Sequence, residues 1–275
     1  MRLSVDHITR YSYERPVRGL VQSHRLTPSV FQGQRVISWE VSVKGGDTAA
    51  VRGAEFTDGA GDRIQGWSIA GPLTDLSVTV RGLVETSDTA GMLKGYREVI
   101  NPCAYKRETA MTAASGALSD LAEGVSDAGG ALALAHGLSA AVTGAIAYHP
   151  GVTHAHTSAS EALALGEGVC QDHAHALIAL ARLRDLPARY VSGYLFADAS
   201  GTAHEAAHAW AEIHVPGFGW IGFDPANACC PDERYIRLAS GFDARDAAPI
   251  RGVARGGQPG DEAMDVTVAV LSSDQ

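Results

Sequence analysis

The sequence predicts an α+β fold in two domains, and three observations support this prediction. Residues 1–88 contain short alternating or β-rich runs separated by Gly, Asp and Pro, a pattern typical of an antiparallel β-sandwich. Downstream, small and apolar residues recur at helical spacing after Cys170, and the run after His208 alternates as in a hairpin. With 275 residues and 45% hydrophobic content, the chain can bury two modest cores. We therefore expect a β-sandwich domain at 1–88 and a core of helices and antiparallel sheet at 89–275.

The amino-terminal domain is expected to contain strands at 8–13, 36–43, 64–69 and 76–84. Each run alternates or is rich in β-forming residues, and turn-forming residues separate the runs. Titratable side chains do not cluster in this part of the sequence. We therefore expect a scaffold or a docking surface here, not the catalytic site.

The part of the core before Cys170 is expected to be helical. Residues 85–102 form the crossover, 105–121 are compatible with a helix, and 160–165 predict a short helix. The stretch 131–148 has no charged residue when its histidines are neutral. It is under 20 residues long, contains polar residues and glycines, and lacks basic anchors. It therefore predicts a buried core helix and not a membrane span.

The stretch Gly-Glu-Gly-Val-Cys-Gln-Asp-His-Ala-His-Ala at 166–176 places a cysteine where a helix begins. Helical spacing starts at Cys170, and Pro187 marks the stop. Unpaired backbone N–H groups and the positive end of the helix dipole favour a thiolate there, and the same N–H groups can hold an oxyanion. A free cysteine is more often a small buried hydrophobic residue. The glycine-rich loop before it and the histidines downstream favour a nucleophile.

A second stretch, residues 206–225, reads as a hairpin turning around Pro216. His208 and Asp224 each lie eight residues from Pro216. A three- or five-residue loop centred on Pro216 would therefore place them opposite each other on one face. A turn between Gly217 and Phe218 would instead bring Asn227 opposite His208.

With Cys170, this hairpin supplies the three parts of a catalytic triad. The cysteine is the expected nucleophile, His208 the base, and Asp224 the residue that orients the imidazole. Asp172 could also tune Cys170, although an acid in the first turn that favours the helix dipole explains it equally well.

Four ordered motifs resemble the transglutaminase-like superfamily of papain-type cysteine enzymes in its bacterial two-domain form. They are Gly-Val-Cys-Gln-Asp-His-Ala-His at 168–175, Pro-Ala-Arg-Tyr-Val-Ser-Gly-Tyr at 187–194, His208-Ala-Trp210 with Glu212, and Gly219-Trp220 followed by Asp224-Pro225. Residues 9–11, 25–28 and 58–62 are similar to the amino-terminal domain of these proteins.

The resemblance implies a papain-like core in which the nucleophile helix packs on an antiparallel sheet. It also implies Cys-His-Asp chemistry without a metal or another cofactor. Relatives place an aromatic residue upstream of the cysteine, which makes Tyr148 a candidate oxyanion donor. Trp210 and Trp220 could wall a tunnel for an amine, but shielding of His208 and Asp224 is the simpler role.

A zinc site is the main competing interpretation of the same histidine. His204-Glu205-x-x-His208 matches the zinc-protease pattern, which works only on a helix. The turn residues at 198–202 and the alternation from Ala209 argue against a helix, so we expect a chance match. The histidines at 154 and 156 predict a polar loop, and Cys103, Cys229 and Cys230 match no zinc or redox spacing.

Charge and composition limit the partners. The net charge of −9 and the pI near 5.6 argue against nucleic acid or an anionic membrane as a partner. The first residues carry charges where an export signal needs an apolar run, and four cysteines are too few for a disulfide framework. We therefore expect a cytoplasmic protein with reduced cysteines. The sequence does not indicate an oligomeric state.

These expectations predict an amide hydrolase or acyl transferase that acts on a peptide or protein substrate. Hydrolysis is favoured because the Asp- and Arg-rich stretch 243–252, within a loop expected at 242–261, would give the cleft a polar rim. A last strand at 264–271 is expected to close the sheet. Transfer to an amine, as in a protein-glutamine transglutaminase, and a non-catalytic binding module are the alternatives.

Overall fold

The computed structural model describes residues 1–46, 48–196, 207–256 and 262–272. Its strands and helices follow in the order β1 (Arg2–His24), β2 (Gln34–Gly45), β3 (Thr48–Ala49), β4 (Val51–Thr57), β5 (Arg63–Thr86), α1 (Gly116–Glu123), α2 (Gly130–Ala145), β6 (Ala147–Tyr148), α3 (Ala159–Leu165), β7 (Glu167–Gly168), α4 (Cys170–Leu183), β8 (Ala188–Leu195), β9 (Ala207–Val215), β10 (Gly219–Phe223), β11 (Tyr235–Gly241), β12 (Ile250–Arg255) and β13 (Glu262–Ser272). The predicted α+β fold is confirmed.

The five amino-terminal strands β1–β5 belong to one seven-stranded antiparallel sheet built around β1 and β5. Both strands are more than 20 residues long, and their mutual register shifts between Ser12 and Val17. Residues from both halves of β1 and β5 pack into one hydrophobic cluster that includes Tyr11, Leu20 and Val78. The sandwich is therefore a single sheet that bends over its own core. All four strands expected at 8–84 lie within β1, β2 and β5.

The last two strands also join this amino-terminal sheet. The first half of β1 pairs with β13, and its second half pairs with β12. The strand expected at 264–271 is present as β13, but the expectation that it closes the core sheet is wrong. The loop expected at 242–261 is also wrong, because residues 250–255 form β12. The sequence pattern identifies a strand but not its partner. The domain boundary at residue 88 stays a prediction, whereas residues 250–255 and 262–272 lie with the amino-terminal strands.

The core contains a four-stranded antiparallel sheet in the order β10-β9-β8-β11, with α4 packed on it. Ala174, Leu177, Ile178 and Ala181 of α4 are fully buried, as their spacing predicted. The surrounding helices α1, α2 and α3 complete this cluster. The predicted helix that carries Cys170 at its start is confirmed.

Two helix predictions upstream have different outcomes. The helix predicted at 131–148 is α2, and its buried face includes Leu138 and Val142. In the described part of the chain, no helix has the length and apolar character needed to cross a membrane. The cytoplasmic location stays a prediction. The helix expected at 105–121 is wrong, because this stretch forms two short 3-10 turns before α1 begins at Gly116. Ser115 starts the new helix by accepting a hydrogen bond from the backbone N–H of Leu118.

The amino-terminal sheet packs against the far end of the core sheet. Tyr194, Ile236 and Leu238 from the core strands lie in one buried cluster with Leu3 and Val5 of β1. The two sheets therefore share apolar contacts in addition to the polar contacts described below.

Candidate active site

Cys170 is the first residue of α4 and is partly exposed. Asp172, in the same turn, is fully buried. Its Oδ2 accepts hydrogen bonds from the backbone N–H of Val169 at 2.8 Å and from the hydroxyl of Thr153 at 2.6 Å. Asp172 therefore fixes the start of the helix, and its tuning of Cys170 stays a prediction. The turn that presents the thiol is held rigidly.

His208 lies at the start of β9 and joins the cysteine to an acid. Its Nε2 lies 2.7 Å from Oδ2 of Asp224, which leaves Nδ1 for the thiol of Cys170. Burial lowers the pKa of His208, but hydrogen bonds with Asp224 and Cys170 outweigh burial and raise the pKa to about 10. The imidazole therefore holds its proton at neutral pH, beside the thiol.

Asp224 is buried and saturated with hydrogen-bond donors. Besides His208, its Oδ2 accepts from the hydroxyl of Tyr235 and from Nδ2 of Asn227, each at 2.8 Å. Its Oδ1 accepts from the backbone N–H groups of Ala226 at 3.1 Å and Asn227 at 3.3 Å. Burial raises the pKa of Asp224, but these bonds and the charge of His208 lower it overall. The carboxylate is therefore kept ionised.

The hairpin reaches this arrangement through a register different from the predicted one. Val215 pairs with Gly219, so the loop is centred on Gly217 and not on Pro216. Gly217 has a φ of 85° and Phe218 N–H bonds to Val215 C=O, the pattern of a type II turn after proline. Extended by one residue, this register puts Asp224 opposite Trp210, diagonal to His208. Diagonal neighbours on one face remain within reach of a histidine side chain.

Asn227, the positional rival of Asp224, also lies at the site. Its Nδ2 is 3.4 Å from Nε2 of His208 but 2.8 Å from Oδ2 of Asp224. It therefore binds the carboxylate more closely than the imidazole. The structure brings Cys170, His208, Asp224 and Asn227 together.

Trp210 and Tyr235 cover one side of the histidine. The Trp210 ring stacks on the His208 ring at 6.4 Å between centroids and meets the Tyr235 ring edge-on at 5.5 Å. Trp220, expected near Asp224, instead packs on the guanidinium of Arg189, 4.0 Å from the ring centroid. Of the two tryptophans, Trp210 is the one that shields the histidine.

Tyr148 lies close to the cysteine loop. Its strand, β6, runs parallel to β7, and Tyr148 pairs with Gly168, two residues before Cys170. The side chain is 48% exposed, and its ring lies 6.3 Å from that of His173. Its role as an oxyanion donor stays a prediction.

The remaining candidates are the other three cysteines and the residues of the zinc pattern. Burial raises the pKa of Cys229 and raises the pKa of Cys230 to about 11, whereas Cys103 is exposed. Of the zinc pattern, His208 lies on a strand, and His204 and Glu205 lie outside the described residues.

Sequence reasoning missed Tyr235 and a set of ion pairs that we call the buried charge network. The network consists of Arg189 on β8, Glu212 on β9, Arg237 on β11 and Asp62 in the turn between β4 and β5. Each of these side chains is at most 3% exposed. Glu212 belongs to one of the four motifs, which was a signal, but nothing local pairs it with Arg189 and Arg237, which are 23 and 25 positions away.

Comparisons with known proteins cover both parts of the chain. Residues 119–225 match the family model of the transglutaminase-like superfamily, and residues 3–85 match that of the bacterial transglutaminase-like N-terminal region. An uncharacterized protein of Mycobacterium leprae is 30% identical over 287 residues, which cover 98% of this chain and 98% of the relative. An uncharacterized protein of Mycobacterium tuberculosis H37Rv is 41% identical over 115 residues, which cover 38% of this chain and 37% of the relative.

One solved structure is similar over the whole chain. The crystal structure of a protein from Cytophaga hutchinsonii, described as a "putative cysteine protease", has a TM-score of 0.71 and 21% identity. The similarity covers 100% of this chain and 92% of that one. At this level of identity it shows a common fold.

Proposed function

The chain belongs to the transglutaminase-like superfamily, and from this premise we propose that it is a cysteine-dependent amide hydrolase acting on peptide-like substrates. The observation that supports the proposal is the arrangement of Cys170, His208 and Asp224. A thiol at a helix start shares a protonated histidine with an ionised, buried carboxylate. This is the set of groups that acyl transfer through a thioester requires.

In the proposed reaction, the thiolate of Cys170 attacks the carbonyl carbon of an amide. Backbone N–H groups at the start of α4 stabilise the negative charge that forms on the carbonyl oxygen. His208 then gives its proton to the leaving nitrogen, the C–N bond breaks, and a thioester remains on Cys170. Water attacks the thioester and gives a proton to His208, and the thiolate leaves. Asp224 keeps the imidazole oriented in both steps.

The choice of water over an amine is part of the proposal. An amine acceptor requires a site that excludes water, for example an apolar tunnel walled by aromatic side chains. The Trp220 ring packs on the guanidinium of Arg189, and the Trp210 ring is buried against Tyr235. Neither tryptophan therefore supports such a wall. The polar rim expected from 243–252 gives less support than we expected, because Asp243 is buried and residues 250–252 lie in β12. Protein-glutamine transglutaminase activity is the alternative outcome.

Incubation with small peptides tests the proposal. We expect release of ammonia or of a new amino terminus, abolished in Cys170→Ala, preserved in the matched variant Cys230→Ala, and unaffected by EDTA. Loss of activity with EDTA would favour the zinc interpretation. Stoichiometric incorporation of a labelled primary amine with little hydrolysis would favour the transglutaminase.

Thiol labelling separates an enzyme from a non-catalytic binding module. At limiting iodoacetamide and neutral pH, Cys170 should be alkylated before Cys103, although Cys103 is the more exposed thiol. Burial should keep Cys229 and Cys230 slow, because it raises their pKa values. Peptide mapping by mass spectrometry gives the order. Labelling of Cys103 ahead of Cys170, with no turnover, would support the binding module.

A further inference from the structure

The buried charge network lies beside the candidate triad on the core sheet. On β9, His208, Trp210 and Glu212 are every second residue and therefore lie on one face. His208 and Glu212 are about 13 Å apart at the spacing of an extended strand. On β11, Tyr235 and Arg237 are separated by one residue. The same two strands therefore carry contacts of the triad and members of the network.

Three side-chain contacts connect β9 to β11 across the intervening strand β8, and one of them is the edge-on contact of the His208 ring with the Tyr235 ring at 5.9 Å. The ring of Trp210 meets the ring of Tyr235, and Oε1 of Glu212 accepts from Nε of Arg237 at 2.8 Å. Gly193 of β8 permits the crossing, because a Cβ atom there would lie 2.6 Å from the Trp210 ring. Tyr235 in turn donates to Asp224. The position of β9 relative to β11 thus sets how His208 meets Asp224.

Glu212 allows β9 only one register. Its carboxylate accepts from Arg189 at 2.7 Å and from Arg237 at 2.8 Å, and it is buried. A slip of one residue would turn Glu212 toward the apolar face of β9, where Ala211 and Ile213 lie in the hydrophobic core cluster. A buried carboxylate without partners is strongly disfavoured. The same slip would turn His208 away from Asp224.

The amino-terminal domain holds the outer end of the network. Arg237 donates through Nη1 to Asp62 at 3.1 Å and to Ser29 at 2.6 Å. The second oxygen of Asp62 accepts from the backbone N–H of Ser240, on β11 itself. Asp62 is fully buried, so its charge acts on Arg237 and β11 without screening by water.

We propose that Glu212 is a positioning residue for His208, and that Asp62 of the amino-terminal domain acts on Glu212 through Arg237. The amino-terminal domain then contributes to the catalytic geometry as well as to stability. This inference rests on the proposed function, because it assigns a role in the reaction of the same site.

The test compares Asp62→Asn and Glu212→Gln with Asp6→Asn in the full chain. Both network variants remove a charge while keeping the shape of the side chain. Asp6 is the matched control, because its carboxylate pairs with Arg81 on the exposed surface of the same sheet. The rate of alkylation of Cys170 by iodoacetamide is measured from pH 6 to pH 9, with the exposed Cys103 as internal reference. Circular dichroism reports folding.

At pH 6–7 we expect both network variants to lose at least tenfold in the alkylation rate of Cys170, and Asp6→Asn to lose nothing. The deficit should shrink by pH 9, because thiols ionise there without a histidine partner. Loss of folded protein would not produce such a recovery. Folded variants with the wild-type pH profile would overturn the inference, and so would variants that fail to fold, which would reduce the network to a stability element. A wild-type Cys170 no faster than Cys103 would instead contradict the proposed function itself.

Discussion

Asp224 is the most constrained side chain of the candidate site. Its two oxygens accept five hydrogen bonds from His208, Tyr235, Ala226 and Asn227, the last through both its side chain and its backbone. Such a carboxylate cannot rotate and is a poor proton acceptor. It is therefore suited to orient the histidine and unsuited to take the proton from it.

Substitutions around Asp224 should separate its role from that of its donors. Asp224→Asn should lower kcat by about 10²–10⁴-fold, because the histidine loses its orienting charge. Tyr235→Phe removes one hydrogen bond to a charged group. This should raise the activation free energy by about 1.5–3 kcal/mol, which lowers kcat by roughly 10–150-fold. Steady-state kinetics with a peptide substrate measures both. An inactive Asn227→Ala beside a nearly normal Asp224→Ala would make Asn227 the orienting residue.

The raised pKa of His208 predicts the alkaline limit of activity. Its proton is needed by the leaving nitrogen and is held until the pH approaches about 10. We expect kcat/KM to fall above that pH, and the fall to begin at lower pH in Asp224→Asn. The same raised pKa also makes His208 stabilise the folded protein. Because the folded pKa lies above the usual 6.5, this contribution to the free energy of unfolding is complete below pH 6.5 and is lost as the pH rises through about 10. An alkaline limb unchanged in Asp224→Asn would contradict the assigned cause.

At the scale of single elements, strand β8 shows how a glycine permits a contact between its neighbours. A Cβ atom on Gly193 would lie 2.2 Å from the carbonyl oxygen of Ile236 and 2.6 Å from the Trp210 ring. Both β11 and Trp210 would have to shift. No such neighbour surrounds Gly144 of α2, where a Cβ atom meets nothing within 4 Å.

The same substitution should therefore have opposite effects at these two positions. Gly193→Ala should destabilise the protein by about 1–3 kcal/mol or more and reduce activity, because it displaces the ring that covers His208. Gly144→Ala should stabilise it by roughly 0.5–1 kcal/mol, since alanine is the better helix former. Urea denaturation followed by circular dichroism gives both values. Equal tolerance at the two sites would show that β11 and Trp210 are less tightly packed than their positions indicate.

The elements that the sequence predicted are those with local signals. The start of α4 follows from the glycines before Cys170, and the hairpin follows from alternation on both sides of Pro216. The centre of its loop was missed by one residue, which shifts the strand pairing by two, because the loop centre depends on the backbone angles of Gly217 and Gly219. The buried charge network could not be predicted, because its partners come from four separate segments. A charged residue in a sequence is usually solvated.

At the scale of the whole molecule, three buried histidines make the stability of the fold sensitive to acid pH. Burial lowers the pKa of His7, His24 and His175 to about 4. His7 and His24 lie on β1, and His175 lies on α4. Each is neutral when folded at pH 6, whereas an unfolded histidine takes up a proton below about pH 6.5.

We expect the protein to lose stability between pH 6.5 and pH 4. A folded pKa below the unfolded one leaves stability intact above pH 6.5 and removes it as the pH falls toward 4. Each histidine can account for roughly 3.5 kcal/mol at most, at about 1.4 kcal/mol per pKa unit. Thermal denaturation across this range measures the loss, and His24→Gln should reduce the slope. A Tm that stays constant from pH 7 to pH 4.5 would contradict the burial of these side chains.

The pairing of β13 with β1 has a consequence for the nascent chain during its synthesis. Ser4 of β1 donates to the carbonyl of Leu271, 267 residues later. A ribosome adds about 5–20 residues per second, so one edge of β1 waits roughly 13–50 seconds for the strand that will cover it. An open strand edge is a template for pairing with other chains. Among the strands of this sheet, the nascent chain therefore needs protection longest at β1, and slower synthesis would lengthen the exposure of that strand.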